Sequence, residues 1–317
     1  MGRGKTISRT LYDDAKNYFK KYENDVTRHA YVSNYRKFIN YCRTHYGCKS
    51  KGECGAHISE YVTHLIQKGL SPSTIHSYLA PVCIYHGITM DAVTKPKRRT
   101  SEYTRGRSFN GKQKRNDNDL SNPKYDRLVQ FQKRVGIRRQ EIARLRGGDF
   151  GTDPNTGEPC VFVRRGKGGR YQAQHLLPGD AQFIKSYFDN VPLDKPVFSK
   201  EELKNQLPLH FLRARQAQAA YYYYLEKAKD PVDRKKLIEQ LKRTWEKTNI
   251  NKKTKKPKPF DDKLITGTYF LRGANKKFAQ ANNLPTKYDN FALTCVSFWH
   301  LAHFRNTVTV ASYMTVI

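Results

Sequence analysis

Acidic residues, methionine and tryptophan are scarce in this chain, and long apolar segments are missing from it. The 317 residues include 28 Asp and Glu, three Met and two Trp. No apolar run approaches the roughly 18 to 20 residues of a membrane span, and the charged start, Met1–Lys5, has no apolar signal core behind it. The sequence therefore predicts a protein without a membrane partner that works in the cytoplasm, associated with the nucleoid if the host is a bacterium.

Metal-ligand spacing is also missing among the cysteines. None of the six stands in a Cys-x-x-Cys pair, and no His or Cys pair follows the evenly spaced first three to complete a zinc site. Scattered cysteines of this kind suit a reducing compartment. Because a Gly-rich Walker loop is absent too, we expect neither a metal nor a nucleotide cofactor. The six are Cys42, Cys48, Cys54, Cys83, Cys160 and Cys295.

Positive charge dominates what is present. Lys and Arg number 59, which gives a formal net charge of +31. Repulsion at this level destabilises a compact chain unless a polyanion neutralises it, so nucleic acid is the expected partner. A merely solubilising surface does not require so one-sided a balance. The basic residues are also spread along the whole chain, whereas membrane-surface binding would gather them on one amphipathic helix.

The first part of the chain, residues 1–93, is predicted to be a helical domain. Apolar residues recur there at helical spacing in three stretches before Gly69. Ser71 is placed to cap a further helix with Pro72 in its first turn, and Pro81 is expected to kink or shorten that helix. Residues 94–120 are rich in Lys, Arg, Gly, Ser and Asn, which is typical of a basic linker able to follow a phosphate backbone.

Residues 121–317 are predicted to form a second domain. Two helices are expected around residues 128–145, then a strand at Cys160–Val163, a glycine-rich turn and a second short strand through Leu177. The rest is mostly helical, and approximately residues 226–265 contain an exposed basic loop, Lys252–Pro259. The predicted fold class is therefore mainly α with a small β-sheet.

Two stretches of the second domain carry basic side chains suited to a phosphate. Arg138 follows a glycine at the start of a helix, where its planar guanidinium can reach an anion, and Glu141 can hold the local structure. Lys167 lies in the turn between the two strands, where it can swing onto a phosphodiester. Taken singly, a solvated helix face and an exposed turn explain these residues better.

Two further stretches supply histidines and a tyrosine. His210 and Arg213 are three residues apart, so one helix face presents both, and the pair is suited to proton transfer beside a bound phosphate. His300 directly follows Trp299, His303 comes three residues later, and Tyr313 lies further along the chain. A single His-x-x-Arg in so basic a chain can also arise by accident.

In chain order, these residues resemble the Arg–Lys–His–Arg–His–Tyr set of the tyrosine recombinases, the integrases of phages and mobile elements. Gly-Ile-Arg-x-x-Glu and His-x-Leu-Arg are similar to the two arginine boxes of that family. The stretch from Leu301 to Tyr313 is similar to its Leu-Gly-His…Tyr ending, and Leu-Ser-Pro-Ser-Thr-Ile at residues 70–75 resembles its core-binding domain. The matching set is Arg138, Lys167, His210, Arg213, His303 and Tyr313.

The resemblance implies a helical, SAM-like core-binding domain followed by an α+β catalytic domain. It implies that Tyr313 attacks a DNA phosphate and forms a 3′-phosphotyrosyl bond while the two arginines bind the non-bridging oxygens. It further implies that His210 accepts the tyrosine proton and that Lys167 protonates the departing 5′-oxygen. Because one ester replaces another, neither ATP nor a metal is required.

Some positions leave alternatives or depart from the family pattern. His300, expected to pack or orient beside Trp299, is the alternative to His303, and Arg139 is the alternative to Arg138. Ala302 stands where the family usually has glycine, and the span from Arg213 to His303 is unusually long, which suggests an insertion at about residues 226–265. Tyr-Phe-Leu-Arg, ending at Arg272, offers a competing second arginine that lacks the histidine.

The implied partners are double-stranded DNA attachment sites, a homotetramer assembled on DNA, and accessory DNA-bending proteins. Three other functions remain open at this point. A non-catalytic DNA-binding protein could keep the same fold, and a type IB topoisomerase uses similar chemistry without site-specific synapsis. A metal-dependent transposase would need a cluster of carboxylates.

Overall fold

The computed structural model describes residues 7–99, 120–166, 169–251 and 254–316. Over these residues the chain is mainly helical, with one antiparallel sheet of three strands and another of two. The prediction of a mainly α fold with a small sheet is therefore confirmed. The chain divides into two compact units, Met1–Arg99 and Thr100–Ile317. No described helix has the length and apolar character needed to cross a membrane.

The first unit packs its helices around one apolar core. Leu11, Ala15 and Phe19 are buried in it, as their shared helical face predicts, together with Tyr35 and Phe38 of the next helix. The side chains of Cys42, Cys48 and Cys54 are buried in the same core. The helices of this unit are α1 (Ile7–Tyr18), α2 (Asp25–Tyr46), α3 (Lys51–Ala56), α4 (Ile58–Gln67) and α5 (Pro72–His86).

Helix α5 begins as predicted but does not stop at its internal proline. The Ser71 hydroxyl caps its first turn by accepting the backbone N–H of Thr74 at 3.2 Å, and the helix runs through Pro81 to His86. A proline has no N–H to bond the carbonyl four residues earlier. Here the Asn34 side chain on α2 donates to that carbonyl, on Ser77, at 3.1 Å. Of the two predicted effects of Pro81, a kink or a shortened helix, the shortening is therefore wrong, and a neighbouring side chain replaces the missing donor.

Substituting Asn34→Ala is expected to lower the free energy of unfolding by about 1 kcal/mol, since the Ser77 carbonyl then loses its donor. In a Pro81→Ala background the same substitution should have a smaller effect, because the new backbone N–H can bond that carbonyl. Urea unfolding of the four proteins of this double-mutant cycle measures the difference. Equal losses in both backgrounds would show that Asn34 does not act through the proline gap.

The second unit contains the longer helices and both sheets. Its helices are α6 (Asp126–Val135), α7 (Arg139–Ile142), α8 (Ala181–Lys185), α9 (Lys200–Leu203), α10 (Leu209–Lys227), α11 (Pro231–Thr248), α12 (Gly273–Ala281), α13 (Asn290–Trp299) and α14 (Asn306–Thr309), the last continuing into a π-helical turn, Val310–Met314. Its strands are β1 (Phe150–Thr152), β2 (Pro159–Val163), β3 (Gln172–His175), β4 (Thr268–Phe270) and β5 (Lys287–Asp289).

The three-stranded sheet has the order β1-β2-β3 with antiparallel neighbours. In the β2–β3 hairpin, Val163 pairs with Gln172, so the connecting turn spans residues 164–171. The predicted strand at Cys160–Val163 is confirmed. Lys167, at the centre of the turn, lies outside the described residues.

Helix α10 is the central element of the second unit. It packs against α6 on one side, against α13 on another, and against the π-helical turn. The candidate site residues lie on α10, at the α6–α7 junction, in the α13–α14 connection and in the π-helical turn after α14, and this packing places them near one another.

The stretch that the sequence suggests is an insertion contains a core helix as well as a loop. Leu237 and Leu241 of α11 are buried, and α11 packs against α13. The described part of the predicted basic loop, residues 254–259, is exposed throughout. The basic loop is therefore confirmed over those residues, but the helix before it belongs to the core.

Candidate active site

The junction between α6 and α7 fixes the position of Arg138. Gly136 ends α6 in a left-handed conformation (φ 66°), and a side chain there would collide with Gln216 of α10. Gln132 on α6 donates to the backbone carbonyls of Ile137 at 2.6 Å and Leu209 at 2.9 Å. These two bonds tie the start of α7 to the start of α10.

One buried carboxylate joins the two candidate arginines. Glu141, only 3% exposed, accepts the backbone N–H of Arg138 at 2.8 Å and its guanidinium Nη1 at 2.6 Å. Nη1 of Arg213 lies 3.5 Å from the second oxygen of the same carboxylate. One negative charge is therefore shared between two guanidinium groups, which leaves this part of the site net positive.

Arg213 is completely buried on α10. Its Nη2 donates to the Leu301 carbonyl at 3.1 Å. Nη1 makes the 3.5 Å ion pair with Glu141 but no hydrogen bond, and Nε has no hydrogen-bond partner among the residues that the structure describes. Burial lowers the pKa of Arg213, and the positive charge of Arg138 lowers it further, whereas Tyr313 and Glu141 raise it. Because an arginine remains protonated in proteins, the site holds a buried cation with hydrogen-bond donors to spare.

His303 lies in a tightly turned segment that follows α13. Its backbone N–H donates to the Ser297 carbonyl at 3.2 Å, and its Nδ1 lies 3.4 Å from the Ser297 hydroxyl. That hydroxyl accepts the backbone N–H of Arg305 at 2.7 Å, so its own proton is available for Nδ1 of His303. When Nδ1 of the neutral ring accepts that proton, the ring's own proton lies on Nε2, a buried atom without a partner in the described chain.

Tyr313 completes the cluster. It lies in the π-helical turn that follows α14, with 5% of its surface exposed. Its ring centroid is 5.3 Å from that of His210 and 5.8 Å from that of His303, and the guanidinium carbon of Arg213 lies 5.7 Å from the same ring. The side chain of Gln218 on α10 donates to the Tyr313 carbonyl at 2.9 Å and holds the turn in place.

A cleft of about 300 Å³ opens onto part of this cluster. Arg138, His210 and Arg213 line it, together with Arg139 and the apolar residues of the α10 entrance. The Arg139 guanidinium is engaged elsewhere, since it donates to the carbonyls of Leu203 at 3.2 Å and Leu207 at 2.9 Å and to the Asn205 side chain at 2.9 Å. Arg138 is therefore better placed than Arg139 to contact a ligand.

His300 lies outside the cluster of ligand-facing groups. It is fully buried, and both of its ring nitrogens have partners: Gln216 at 2.8 Å and the Tyr224 hydroxyl at 3.3 Å. The competing arginine, Arg272, begins α12 and borders a different cleft with Thr268 and Asn290. The geometry thus favours His303 over His300 and Arg213 over Arg272.

Lys167, the remaining predicted residue, lies outside the described residues, and the described residues on either side of it lie at the cluster. A Cβ on Gly166 would lie 3.3 Å from the Glu141 carboxylate. Arg170, on the other side of the turn, reaches the Ala302 carbonyl at 3.5 Å. Both ends of the β2–β3 turn therefore border the two arginines and the His303 segment.

Two contributors escaped the sequence analysis. The Leu301 carbonyl accepts from Arg213 and, at 3.5 Å, from Arg138, and the Ser297 hydroxyl contacts Nδ1 of His303 at 3.4 Å. A backbone carbonyl has no residue-type signature, and no spacing rule links a serine to a histidine across a helix end. Neither residue carried a signal that the sequence alone could supply.

No protein-family model matches the chain, and no curated protein matches it.

Ala302 accounts for one departure from the family pattern. It adopts a left-handed conformation (φ 50°), as does Phe304 (φ 55°), so His303 lies between two strained residues. Left-handed backbone costs an L-residue roughly 1–2 kcal/mol, whereas glycine adopts it freely. The usual family residue would therefore fit this turn with less strain.

Substituting Ala302→Gly is expected to raise the free energy of unfolding by about 0.5–1 kcal/mol, because the relieved strain exceeds the extra freedom of glycine in the unfolded chain. Urea unfolding measures this change. The matched control, Ala143→Gly, changes an ordinary right-handed residue (φ −62°) and should be destabilising. A loss of similar size in both variants would contradict the strain argument.

Stability is expected to fall as the pH falls below about 6.5. Burial holds the pKa of His303 and of His300 well below the usual value, with nearby positive groups adding to the effect, and burial lowers the pKa of His86 to about 4. The unfolded chain gains protons on these residues below pH 6.5 while the folded chain does not, so acid favours unfolding.

Urea midpoints at pH 7.5, 6.5 and 5.5 test this expectation. A His303→Gln variant should show a shallower dependence, by at most about 1.4 kcal/mol per pH unit. A free energy of unfolding that stays constant between pH 7.5 and 5.5 would show that these histidines are not held neutral.

Proposed function

We propose that this chain is a site-specific tyrosine recombinase of the integrase type. It would cleave and rejoin DNA strands through a 3′-phosphotyrosyl intermediate during integration or excision of a mobile element. The supporting observation is the fully buried guanidinium of Arg213, which has donors to spare and lies beside the ring of Tyr313. Burying a cation with unused donors is unfavourable, so the arrangement suits an anionic ligand.

In this proposal the two arginines bind the non-bridging oxygens of one DNA phosphate. Attack on a phosphodiester produces a pentavalent transition state with added negative charge. Donors fixed in a buried, low-dielectric site stabilise that charge more than they stabilise the starting ester. Arg213 is the stronger contributor because it is fully buried whereas the Arg138 side chain is 29% exposed, so solvent screens its charge less.

The histidines have different tasks in the proposed reaction. Neutral His303 would donate from Nε2 to a phosphate oxygen, in the tautomer that Ser297 favours. His210, with its ring beside Tyr313, would accept the phenolic proton as the tyrosine attacks. Lys167 would protonate the departing 5′-oxygen from the β2–β3 turn, whose two ends border the cluster.

Exchange of one ester for another keeps the bond energy, so the proposed reaction uses neither ATP nor a metal. Tyr313 and Arg213 are covered in the free chain, and we expect DNA binding to open a path to them. The proposed partners are double-stranded attachment sites, the other subunits of a homotetramer formed on DNA, and accessory DNA-bending proteins. The first unit would bind the core site.

The proposed function can be tested without knowing the attachment site beforehand. Binding sequences are first selected from a randomised duplex library. The selected duplex is then nicked at successive positions and incubated with the protein in EDTA without nucleotide. We expect an SDS-resistant protein–DNA adduct at one nick position, with the modified peptide containing Tyr313.

Other outcomes would identify the alternatives. Tight binding without an adduct at any nick position would indicate a non-catalytic DNA-binding protein. Relaxation of supercoiled plasmid without exchange between paired sites would indicate a type IB topoisomerase. Activity that EDTA removes would indicate a metal-dependent transposase.

A further inference from the structure

The basic loop after α11 has a fixed backbone. The Asn251 N–H donates to the Lys256 carbonyl at 2.8 Å, the Lys255 N–H donates to the Asn251 carbonyl at 2.8 Å, and the Lys258 N–H donates to the Asn249 carbonyl at 2.9 Å. A backbone bridge also joins Ile250 to Pro257. These backbone contacts therefore hold Lys255, Lys256 and Lys258 at fixed positions along the loop.

An aromatic cluster connects this loop to the His303 segment. Trp245, near the end of α11, donates from Nε1 to the Lys258 carbonyl at 2.8 Å. Its ring stacks on Phe298 with centroids 5.7 Å apart and meets Phe304 edge-on at 6.2 Å. The indole ring of Trp245 therefore contacts both the Lys258 carbonyl in the loop and Phe304. Phe304 directly follows His303, a proposed catalytic residue.

The loop presents positive charge that the protein does not neutralise. Lys255, Lys256 and Lys258 are exposed to solvent. None forms an ion pair with any acidic group among the residues that the structure describes. Exposed lysines that form no ion pair, on a hydrogen-bonded loop, are suited to binding the phosphates of a nucleic-acid strand.

We infer that the described part of this loop, residues 249–251 and 254–259, is a DNA-backbone clamp that grips phosphates flanking the cleaved linkage. The inference rests on the proposed function in taking duplex DNA as the partner. The aromatic cluster sets the spacing between clamp and active site, so the loop contacts a defined few phosphates on one side of the scissile phosphate. Its contacts carry no sequence information and contribute affinity and register.

A triple variant tests the clamp: Lys255→Asn, Lys256→Ser and Lys258→Ser. Asparagine is chosen at the first position because Lys255 has a left-handed backbone (φ 57°), which asparagine tolerates. The backbone bonds of the loop remain available. A matched control changes three exposed lysines of the same unit, at positions 276, 277 and 287, to the same residue types.

Binding of the selected duplex is measured from 50 to 300 mM salt, roughly the range in which counterion release dominates. In the clamp variant we expect the log–log salt slope to fall by about 2 to 3, near 0.9 for each lost phosphate contact. Ethylation interference should disappear at a discrete group of phosphates beside the cleavage position. At saturating DNA, the rate of adduct formation should stay within about twofold of wild type, and the control variant should keep every interference position.

Two results would overturn the clamp. One is an unchanged salt slope in the clamp variant. The other is an equal loss in both variants without any missing phosphate, which would mean that only the total charge matters. If wild type shows the loop-dependent phosphates but never forms an adduct, the clamp stands and the proposed enzymatic function fails.

Discussion

Replacing Arg213 with methionine is expected to slow DNA cleavage by roughly 10³-fold or more without destabilising the folded protein. The loss of activity follows from removing the only fully buried cation among the described site residues, whose donors are aimed at developing phosphate charge. Single-turnover adduct formation on the nicked duplex measures it. Binding should change little, because most affinity comes from the many phosphate contacts outside the site.

The stability of this variant distinguishes a functional arginine from a structural one. Glu141 keeps its pairing with Arg138, and the Leu301 carbonyl keeps Arg138 as a second donor. Burying a cation that shares one carboxylate with a second cation lowers the stability of the fold. Replacing such a charge with an apolar side chain of similar size often leaves stability unchanged or raises it. We therefore expect an unfolding midpoint equal to or above that of wild type.

Arg215→Met is the matched control for that experiment. Arg215 lies on the same helix but is exposed, and it donates to the Gln218 side chain at 3.1 Å. Neither cleavage nor stability should change much. If Arg213→Met instead unfolds the protein while Arg215→Met does not, Arg213 serves mainly as a structural partner of Glu141, and its role in the proposed reaction is lost.

Tyr313→Phe is expected to form no covalent adduct while binding DNA as wild type does. The substitution removes only the hydroxyl, so the ring contacts with His210 and His303 can persist. Without that oxygen no phosphotyrosyl bond can form, whatever the other groups contribute. Denaturing gels of the nicked-duplex reaction measure the adduct, and gel shifts measure binding.

A buried tyrosine close by provides the control. The Tyr288 hydroxyl donates to the Met314 carbonyl at 3.4 Å, next to Tyr313 in the chain. Tyr288→Phe removes the same atom from the same region and should leave adduct formation within a few-fold of wild type. Adduct formation by Tyr313→Phe at the wild-type rate would identify a different nucleophile and remove Tyr313 from the proposal.

The sequence predicts the parts of the site that local spacing controls. His210 and Arg213 share a face of α10 because residues three apart on a helix are neighbours. Glycine before Arg138 ends one helix and allows the next to begin. The grouping of these residues with His303 and Tyr313 is a tertiary property, and only the resemblance to a family suggested it.

Other features depend on partners that local patterns cannot specify. Helix α5 passes through Pro81 because Asn34, far away in the chain, supplies a donor. The strands β4 and β5 have three residues each, too few for an alternating pattern to be recognised. The apolar positions Leu237 and Leu241 are four apart, but the insertion is suggested by the length of the span from Arg213 to His303, and length does not show which of its residues join the core.

The packing of α11 bears on the position of the His303 segment. Thr244 accepts the indole N–H of Trp299 at 3.2 Å, and the neighbouring Trp245 stacks on Phe298. A shortened chain without α11 would expose two large aromatic side chains at the base of the segment that carries His303, a loss of several kcal/mol at about 25 cal/mol for each Å² uncovered. The cover that α11 gives to Trp299 and Phe298 is therefore part of what holds the His303 segment in place.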